Sequence, residues 1–126
     1  MKKKPLILVV DDDPLIRKAL ARDLTSDFEV LTADGNDRAL TIISSNKDLR
    51  GVLSDYHIGL LHTGALLLSK ICRERPSIGR ILVSGTIDEE SIFHLIDSGV
   101  VHAFLSKPWT RVQLIRTVKK FCYNTL

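Results

Sequence analysis

Two kinds of hydrophobic pattern alternate five times along the chain. Short runs of aliphatic and β-branched residues, such as Leu6–Val10, are typical of strands buried on both faces of a sheet. After each run, apolar residues recur at helical spacing, as they do between residues 15 and 24. The predicted strands cover residues 6–10, 28–33, 51–54, 81–83 and 101–105. The predicted helices cover residues 14–24, 36–43, 64–75, 88–98 and 110–123.

Capping residues support these helix boundaries. Asp13 is a good N-cap and precedes Pro14, which suits the first helical position. Asn36 and Thr110 are expected to cap the second and the last helix, and Pro76 marks the end of the third. The boundaries therefore depend on local chemistry as well as on periodicity.

The five strand–helix units form one continuous series, (βα)5, without a linker or a shift in composition. We therefore expect a single domain over residues 1–126. Because a helix separates successive strands, the sheet should be parallel, with helices on both faces. Five units are too few for an eight-stranded barrel, so the expected fold is α/β, with an open, doubly wound, five-stranded parallel sheet. Such sheets bind ligands beyond the carboxyl ends of their strands.

Composition and charge exclude several functional classes. Hydrophobic residues make up 44% of the chain and charged residues 26%, which indicates a globular rather than a disordered protein. A net charge of +3 is too small to indicate direct binding to nucleic acid. The apolar runs are too short for a membrane span. Cys72 and Cys122 lack disulfide or metal spacing and are expected to be buried free thiols, which suits a reducing, cytoplasmic location.

The candidate chemistry lies at the ends of the predicted strands. Three aspartates follow the first strand, one aspartate ends the third, a serine ends the fourth and a lysine follows the fifth. These residues are Asp11, Asp12, Asp13, Asp55, Ser84 and Lys107. The fold would bring them to one edge of the sheet, where clustered carboxylates need a cation to offset their repulsion. Mg²⁺ prefers such oxygen ligands, and a lysine and a hydroxyl beside it are what phosphoryl transfer requires.

Four motifs in this order resemble the receiver domain of two-component response regulators. They are Val10-Asp11-Asp12-Asp13-Pro14, Asp55, Ser84-Gly85 and Lys107-Pro108. The resemblance extends over essentially the whole chain and implies a flavodoxin-like strand order, 2-1-3-4-5. It also implies a phosphorylation-dependent signalling switch, in which Asp55 accepts a phosphoryl group from the phosphohistidine of a sensor histidine kinase.

On this resemblance, four groups would hold the Mg²⁺ ion. They are the side chains of Asp11, Asp12 and Asp55 and the backbone carbonyl oxygen of His57. Asp12 would bind the ion directly and Asp11 through a water molecule. The side chain of His57 would lie near the path of hydrolytic water, so we expect it to influence the rate of dephosphorylation.

Further residues would contact the phosphoryl group or transmit its arrival. Lys107 would pair with the phosphoryl oxygens, and Ser84 would hydrogen-bond to them and move towards them. Phe104 occupies an aromatic switch position and would rotate inward with Ser84. Pro108 would follow a cis peptide bond that shapes the loop presenting Lys107. Trp109 is expected to pack against the edge of the sheet.

The output surface would be formed by the fourth helix, the fifth strand and the fifth helix. Ile92, Ile96 and Val112 are expected to border it. A change in its shape would regulate a downstream effector protein or a fused output domain, and would favour homodimerisation through the same face. No catalysis is expected beyond the domain's own phosphorylation and dephosphorylation.

The stretch after Asp55 departs from the receiver pattern. Receivers commonly carry Met-Pro three and four residues after the acceptor, where this chain has Ile58 and Gly59. The usual glycine arrives one residue late, at Gly64, which indicates a one-residue insertion within residues 60–63. We expect a locally different loop that affects partner specificity and phosphoryl lifetime rather than phosphoacceptance.

Two alternatives remain open at this point. The Asp-x-Asp sequence from Asp11 to Asp13 also resembles a haloacid-dehalogenase-type phosphatase, in which Asp11 would be the nucleophile and Asp13 the acid. The second alternative is a pseudo-receiver, a binding module that keeps the fold but not the switch. The identity of the phosphorylated aspartate separates the three hypotheses.

Overall fold

A parallel sheet of five strands forms the centre of the molecule. The computed structural model describes residues 3–58, 62–85 and 88–123. The strands are β1 (Leu6–Val10), β2 (Glu29–Ala33), β3 (Leu49–Asp55), β4 (Gly79–Ser84) and β5 (Ala103–Ser106). Their order is β2-β1-β3-β4-β5, which confirms the expected order 2-1-3-4-5. The order reverses between β1 and β3, which is where an open sheet of this kind binds its ligands.

Within the described residues, five α-helices connect and cover the strands. They are α1 (Pro14–Leu24), α2 (Asn36–Ser45), α3 (Gly64–Glu74), α4 (Glu89–Asp97) and α5 (Arg111–Val118). A π-helical turn, Lys119–Tyr123, continues α5. In this part of the chain, no helix combines the length and the apolar character that a membrane crossing needs.

Side-chain caps define the starts of α1 and α5. The carboxylate of Asp13 accepts the backbone N–H of Leu15 at 2.9 Å, and the hydroxyl of Thr110 accepts that of Gln113 at 3.1 Å. Both caps were predicted. The prediction for Asn36 was wrong, because the extended residue before it, Gly35, is the N-cap, and Asn36 already has helical geometry.

Alternate residues of β1 enter two separate hydrophobic cores. Leu8 and Val10 pack with α2 and α3 on one face, whereas Ile7 and Val9 pack with α1 and α5 on the other. All four side chains are 0% exposed. The uninterrupted apolar run of β1 therefore corresponds to burial on both faces, as expected for a doubly wound sheet.

A short antiparallel pair of strands, His57–Ile58 with His62–Thr63, follows β3. The sequence did not predict it. The proposed one-residue insertion within residues 60–63 stays a prediction, because residues 60 and 61 lie outside the described residues. On the far side of this loop, the hydroxyl of Thr63 accepts the backbone N–H of Leu66 at 3.3 Å and begins α3.

The two cysteines differ in burial. Cys122 is buried and free, as expected, and burial raises the pKa of its thiol to about 12. Cys72 is free but only half-buried, so the expectation of full burial was wrong for this residue. The buried face of α3 runs through Leu67, Leu68 and Ile71, and Cys72 lies at the margin of that face.

Candidate metal centre

Three carboxylates meet where β1 and β3 end. Val10 pairs with Ser54 in the parallel register, so the next residues, Asp11 and Asp55, lie side by side. One oxygen from each of Asp11, Asp12 and Asp55 lies within 4.8 Å of the other two. Asp11 and Asp55 are buried, at 1% and 8% exposure, whereas Asp12 is exposed. Asp12 therefore marks the side of the cluster that faces solvent.

Lys107 brings a positive charge to this cluster from the loop after β5. Its Nζ atom lies 3.1 Å from Asp55 Oδ1 and 3.5 Å from Asp11 Oδ2. Its backbone N–H donates to the carbonyl oxygen of Ser84 at 3.1 Å, which ties the loop to the end of β4. The next peptide bond, Lys107–Pro108, is cis. The Lys107 ammonium thus lies within ion-pair distance of two of the three carboxylates.

Burial and charge shift the pKa values of Asp11 and Lys107. Burial raises the pKa of Asp11, and the nearby charge of Asp55 adds to this rise. The Asp13 N–H at 2.9 Å and the Lys107 ammonium oppose it without cancelling it. For Lys107, burial by itself lowers the pKa, but the hydrogen bonds and charges of Asp55 and Asp11 outweigh burial, so the pKa is raised. Lys107 therefore stays charged at neutral pH.

The other predicted residues lie around this cluster at different depths. Ser84 is buried at the end of β4, where it pairs with Ser106 in the sheet. Phe104 is half-buried on β5 and packs against the core beneath α2 and α3. His57 is exposed, and its ring meets the ring of Tyr56 edge-on, with centroids 4.8 Å apart. The structure thus places Ser84 at the same sheet edge as the carboxylates and Phe104 further down the neighbouring strand.

Two contributors to the site were not predicted from the sequence. Arg17 on α1 donates from Nη1 to the carbonyl oxygen of Asp11 at 2.8 Å. Gly64 begins α3 so close to β3 that a Cβ atom there would overlap the carbonyl oxygen of Asp55. The shifted position of Gly64 was a visible signal, but its contact with Asp55 depends on tertiary packing. No motif marks Arg17.

Trp109 makes both an apolar and a polar contact, and only the apolar contact was expected from the sequence. Its ring is half-buried and packs against the core beneath α1 and α5. Its indole Nε1–H donates to Asp23 Oδ2 on α1 at 3.0 Å. Packing was expected for Trp109, whereas the polar contact with α1 was not, because nothing in the local sequence points to Asp23.

Comparisons with known proteins identify the family to which this chain belongs. Residues 7–119 match the family model of the response regulator receiver domain. A curated relative, the hydrogenase transcriptional regulatory protein HoxA of Cupriavidus necator, is 32% identical over 118 residues. The aligned part is 94% of this chain but 24% of HoxA, so the chain spans about a quarter of the length of that relative.

Solved structures show the same likeness. A signal receiver domain of an HD domain-containing protein from Pseudomonas fluorescens Pf-5 has a TM-score of 0.85 and 29% identity, with 94% of each chain covered. A response regulator receiver protein from Pseudomonas putida has a TM-score of 0.85 and 31% identity, with 95% of this chain and 99% of the other covered. The resemblance first seen in four short motifs therefore extends through the sequence and the fold, and the chain belongs to the response regulator receiver domain family.

Proposed function

We propose that this receiver domain is a phosphorylation switch in which Asp55 accepts a phosphoryl group from a sensor histidine kinase. The observation that carries the proposal is the environment of Asp55. Its carboxylate lies at the end of β3, 3.1 Å from the Lys107 ammonium, within a cluster of three carboxylates. The site thus combines a nucleophilic oxygen on Asp55, the ammonium group of Lys107 and a candidate metal site. This combination suits transfer of a negatively charged phosphoryl group.

The donor set of this cluster fits Mg²⁺. This ion binds through one or two carboxylates, keeps several water molecules and accepts phosphate oxygens as further ligands. Asp11, Asp12 and Asp55 offer oxygens within 4.8 Å of one another, and the backbone carbonyl of His57 would add another. Two of these carboxylates, Asp11 and Asp55, are buried, and clustered carboxylates in such a position favour a cation. Bound Mg²⁺ would neutralise charge that develops on the phosphoryl oxygens.

The residues of the chain would perform the transfer in a defined order. An oxygen of Asp55 attacks the phosphorus atom and forms an acyl phosphate. The phosphorus–nitrogen bond of the phosphohistidine breaks, and the leaving imidazole keeps the electron pair. Lys107 pairs with the phosphoryl oxygens and the hydroxyl of Ser84 donates to one of them, because both groups are already placed at this edge of the sheet. Hydrolysis of the acyl phosphate would reset the switch, with no other reaction catalysed.

The signal would leave the domain through the surface made by α4, β5 and α5. Movement of Ser84 towards the phosphoryl group would draw in the loop after β4, and the half-buried ring of Phe104 would follow. This surface already exposes Phe93, Ile96 and Val112, at 70%, 42% and 65%. Its partner would be a downstream effector, a fused output domain or a second copy of the domain, all in the cytoplasm.

Mass spectrometry with a small phosphodonor tests the proposal. Wild-type protein and Asp55→Asn are incubated with Mg²⁺ and acetyl phosphate, and intact masses are recorded over time. We expect one phosphoryl adduct that requires Mg²⁺ and is absent from Asp55→Asn. Circular dichroism of the variant shows whether it remains folded.

The same experiment separates the alternatives. An adduct that persists in Asp55→Asn would place the nucleophile elsewhere, and Asp11 would then be examined first, as in a haloacid-dehalogenase-type phosphatase. The match of residues 7–119 to the receiver family does not favour that outcome. Absence of an adduct in folded wild-type protein would contradict the proposal and identify the domain as a pseudo-receiver.

A further inference from the structure

The loop formed by residues 107–109 contacts the β1–α1 unit at two separate points. At its start, the Lys107 ammonium reaches Asp11, directly after β1, at 3.5 Å. At its end, the indole N–H of Trp109 donates to Asp23, near the C-terminal end of α1, at 3.0 Å. The second contact joins residues 86 positions apart, so it is a tertiary tie and not part of a local turn.

The tie between Trp109 and Asp23 is partly shielded from water. The side chain of Asp23 is 17% exposed, and the ring of Trp109 packs against the core shared by α1 and α5. Hydrogen bonds to an ionised acceptor are stronger than those between neutral groups. Arg22 also approaches Asp23, at 3.7 Å, but the Arg22 side chain is 77% exposed, so this pair adds little order.

An open cavity lies beside the loop. The cavity has a volume of about 420 Å³ and lies between α1 and the loop. It is lined by Ile16, Arg22, Asp23, Lys107, Pro108 and Trp109. Packing between the loop and α1 is therefore incomplete on this side, although the ring of Trp109 packs against the core shared by α1 and α5. Pro108 has no N–H to donate. The hydrogen bond from the Trp109 indole to Asp23 therefore supplies a directional contact between this part of the loop and α1.

We propose that Trp109 and Asp23 are positioning residues for Lys107, and that their hydrogen bond fixes the loop that aims the Lys107 ammonium at Asp55. On its N-terminal side, Lys107 is held by its backbone N–H, which donates to Ser84 at 3.1 Å. The Trp109–Asp23 bond supplies the hold on the C-terminal side. The inference rests on the proposed function, because its consequence is the rate of phosphoryl transfer to Asp55.

Two side-chain contacts between neighbouring segments provide controls. Arg111 Nη2 lies 3.4 Å from Ser26 Oγ, and Lys119 Nζ lies 2.9 Å from Asp27 Oδ2. Both join α5 or its continuation to the segment just after α1. Lys119 is further along the chain from Lys107 than Trp109 is, so loss of its partner Asp27 should disturb α5 without releasing the loop.

The test compares rates of Asp55 phosphorylation by acetyl phosphate at saturating Mg²⁺, followed by intact mass spectrometry. We expect Asp23→Ala and Trp109→Phe to lower the rate constant about tenfold, because misplacement by about 1 Å can cost up to about 100-fold. Asp23→Asn should retain most of the rate, since its amide oxygen can still accept the indole proton. Asp27→Ala should react at the wild-type rate.

A double-mutant cycle with Lys107→Ala shows whether the effect passes through Lys107. In that background, Asp23→Ala should slow the reaction less than about twofold, because the group it positions is gone. Equal slowing in both backgrounds would overturn the inference. The chain has one tryptophan, Trp109, so its fluorescence reports on the tie directly. We expect the emission maximum to shift in Asp23→Ala but not in Asp27→Ala.

The outcomes distinguish this inference from the proposed function. Wild-type protein that is not phosphorylated at Asp55 would overturn both. Normal labelling of wild-type protein, combined with wild-type rates in folded Asp23→Ala and Trp109→Phe, would overturn the inference alone. Thermal unfolding of each variant establishes that it is folded under the conditions of the assay.

Discussion

The carbonyl oxygen of Asp55 lies where a side chain on Gly64 would have to be. A Cβ atom at residue 64 would overlap that oxygen and lie 2.7 Å from Ser54 Oγ. The backbone N–H of Gly64 also donates to the carbonyl oxygen of Tyr56, the residue after Asp55, at 2.8 Å. The start of α3 therefore packs directly on the backbone of Asp55, and this close approach requires glycine at position 64.

Replacing Gly64 with alanine should lower the free energy of unfolding by about 1–3 kcal/mol, the usual cost of overpacking. Helix propensity favours alanine over glycine by at most about 1 kcal/mol, so the steric effect decides the sign. Urea unfolding measures the change. Gly85→Ala is the control, because its added Cβ would meet Lys107 Cβ at 3.6 Å, an ordinary contact. An unchanged or higher stability of Gly64→Ala would contradict the steric argument.

Side chains of the candidate site differ in how far the sequence could predict them. Asp11, Asp55 and Lys107 each follow or end a strand, so the fold class alone brings them to one edge, and the structure places them within ion-pair distance. The contact of Trp109 with Asp23 could not be predicted, because it depends on how α1 and the loop after β5 pack. Local signals carry no information on such a pairing.

At the scale of elements, a buried arginine joins two loops near the N-terminal ends of the strands, whereas the carboxylates lie at the C-terminal ends. Arg80 on β4 is 4% exposed, and its guanidinium donates to four backbone carbonyl oxygens at 2.8–3.1 Å. These carbonyls belong to Pro76, Ile78, Gly99 and Val100. The hydrogen bonds of Arg80 to Gly99 and Val100 therefore fix the chain directly after α4. The other end of α4 follows the loop after Ser84 and, within the described residues, is not hydrogen-bonded to Arg80. Hydropathy alone could not predict a charged side chain buried at this position.

His102 makes this anchor sensitive to pH. Its Nδ1 atom accepts the backbone N–H of Arg80 at 2.9 Å, which requires that nitrogen to be unprotonated. Partial burial, and then the charge of Arg80, lower the pKa of His102 from its ordinary value of 6.5. As the pH falls below 6.5, the unfolded chain binds this proton before the folded chain does. Stability should therefore be lost as the pH falls towards the lower folded-state pKa.

Urea unfolding between about pH 7.5 and about pH 5.5 measures this loss. We expect wild-type protein to lose more stability over the interval than His102→Asn, whose amide oxygen can accept the same N–H without titrating. The difference in slope should correspond to less than one proton. The other histidines are present in both proteins, so their contributions cancel. Equal losses in the two proteins would show that His102 does not titrate against folding.

At the scale of the whole molecule, the sequence predicted the number and order of the strands better than the residues at which each strand begins and ends. The central strands could be recognised from continuous apolar runs because β1, β3 and β4 are buried on both faces. β3 nevertheless begins at Leu49, earlier than predicted, because Leu49 pairs with Leu6 across a register shift and exposed Arg50 interrupts the run. The antiparallel pair after β3 has two residues in each strand, too few for any periodicity. A single domain over residues 1–126 stays a prediction.

The exposed apolar face of α4 is where the switch would meet its partner. Phe93 and Ile96 are 70% and 42% exposed, and with Ile92 they line a shallow cavity of about 320 Å³ bordered by Glu89 and Asp97. A polar rim around an apolar centre is typical of a protein–protein interface. Because α4 follows the loop after Ser84, its position should respond to phosphorylation.

If phosphorylation favours a dimer through this face, Phe93→Ser should weaken the phosphorylated dimer about tenfold or more, since burying an aromatic side chain contributes about 1.5–3 kcal/mol. Sedimentation equilibrium with and without acetyl phosphate measures the association, and intact mass confirms that labelling is unchanged. Leu66→Ser is the matched control, because it removes a 57% exposed apolar side chain from α3. Equal dimerisation of Phe93→Ser and wild-type protein would place the interface elsewhere. Loss of dimerisation in both variants would indicate general adhesion between apolar surfaces rather than an interface built on α4.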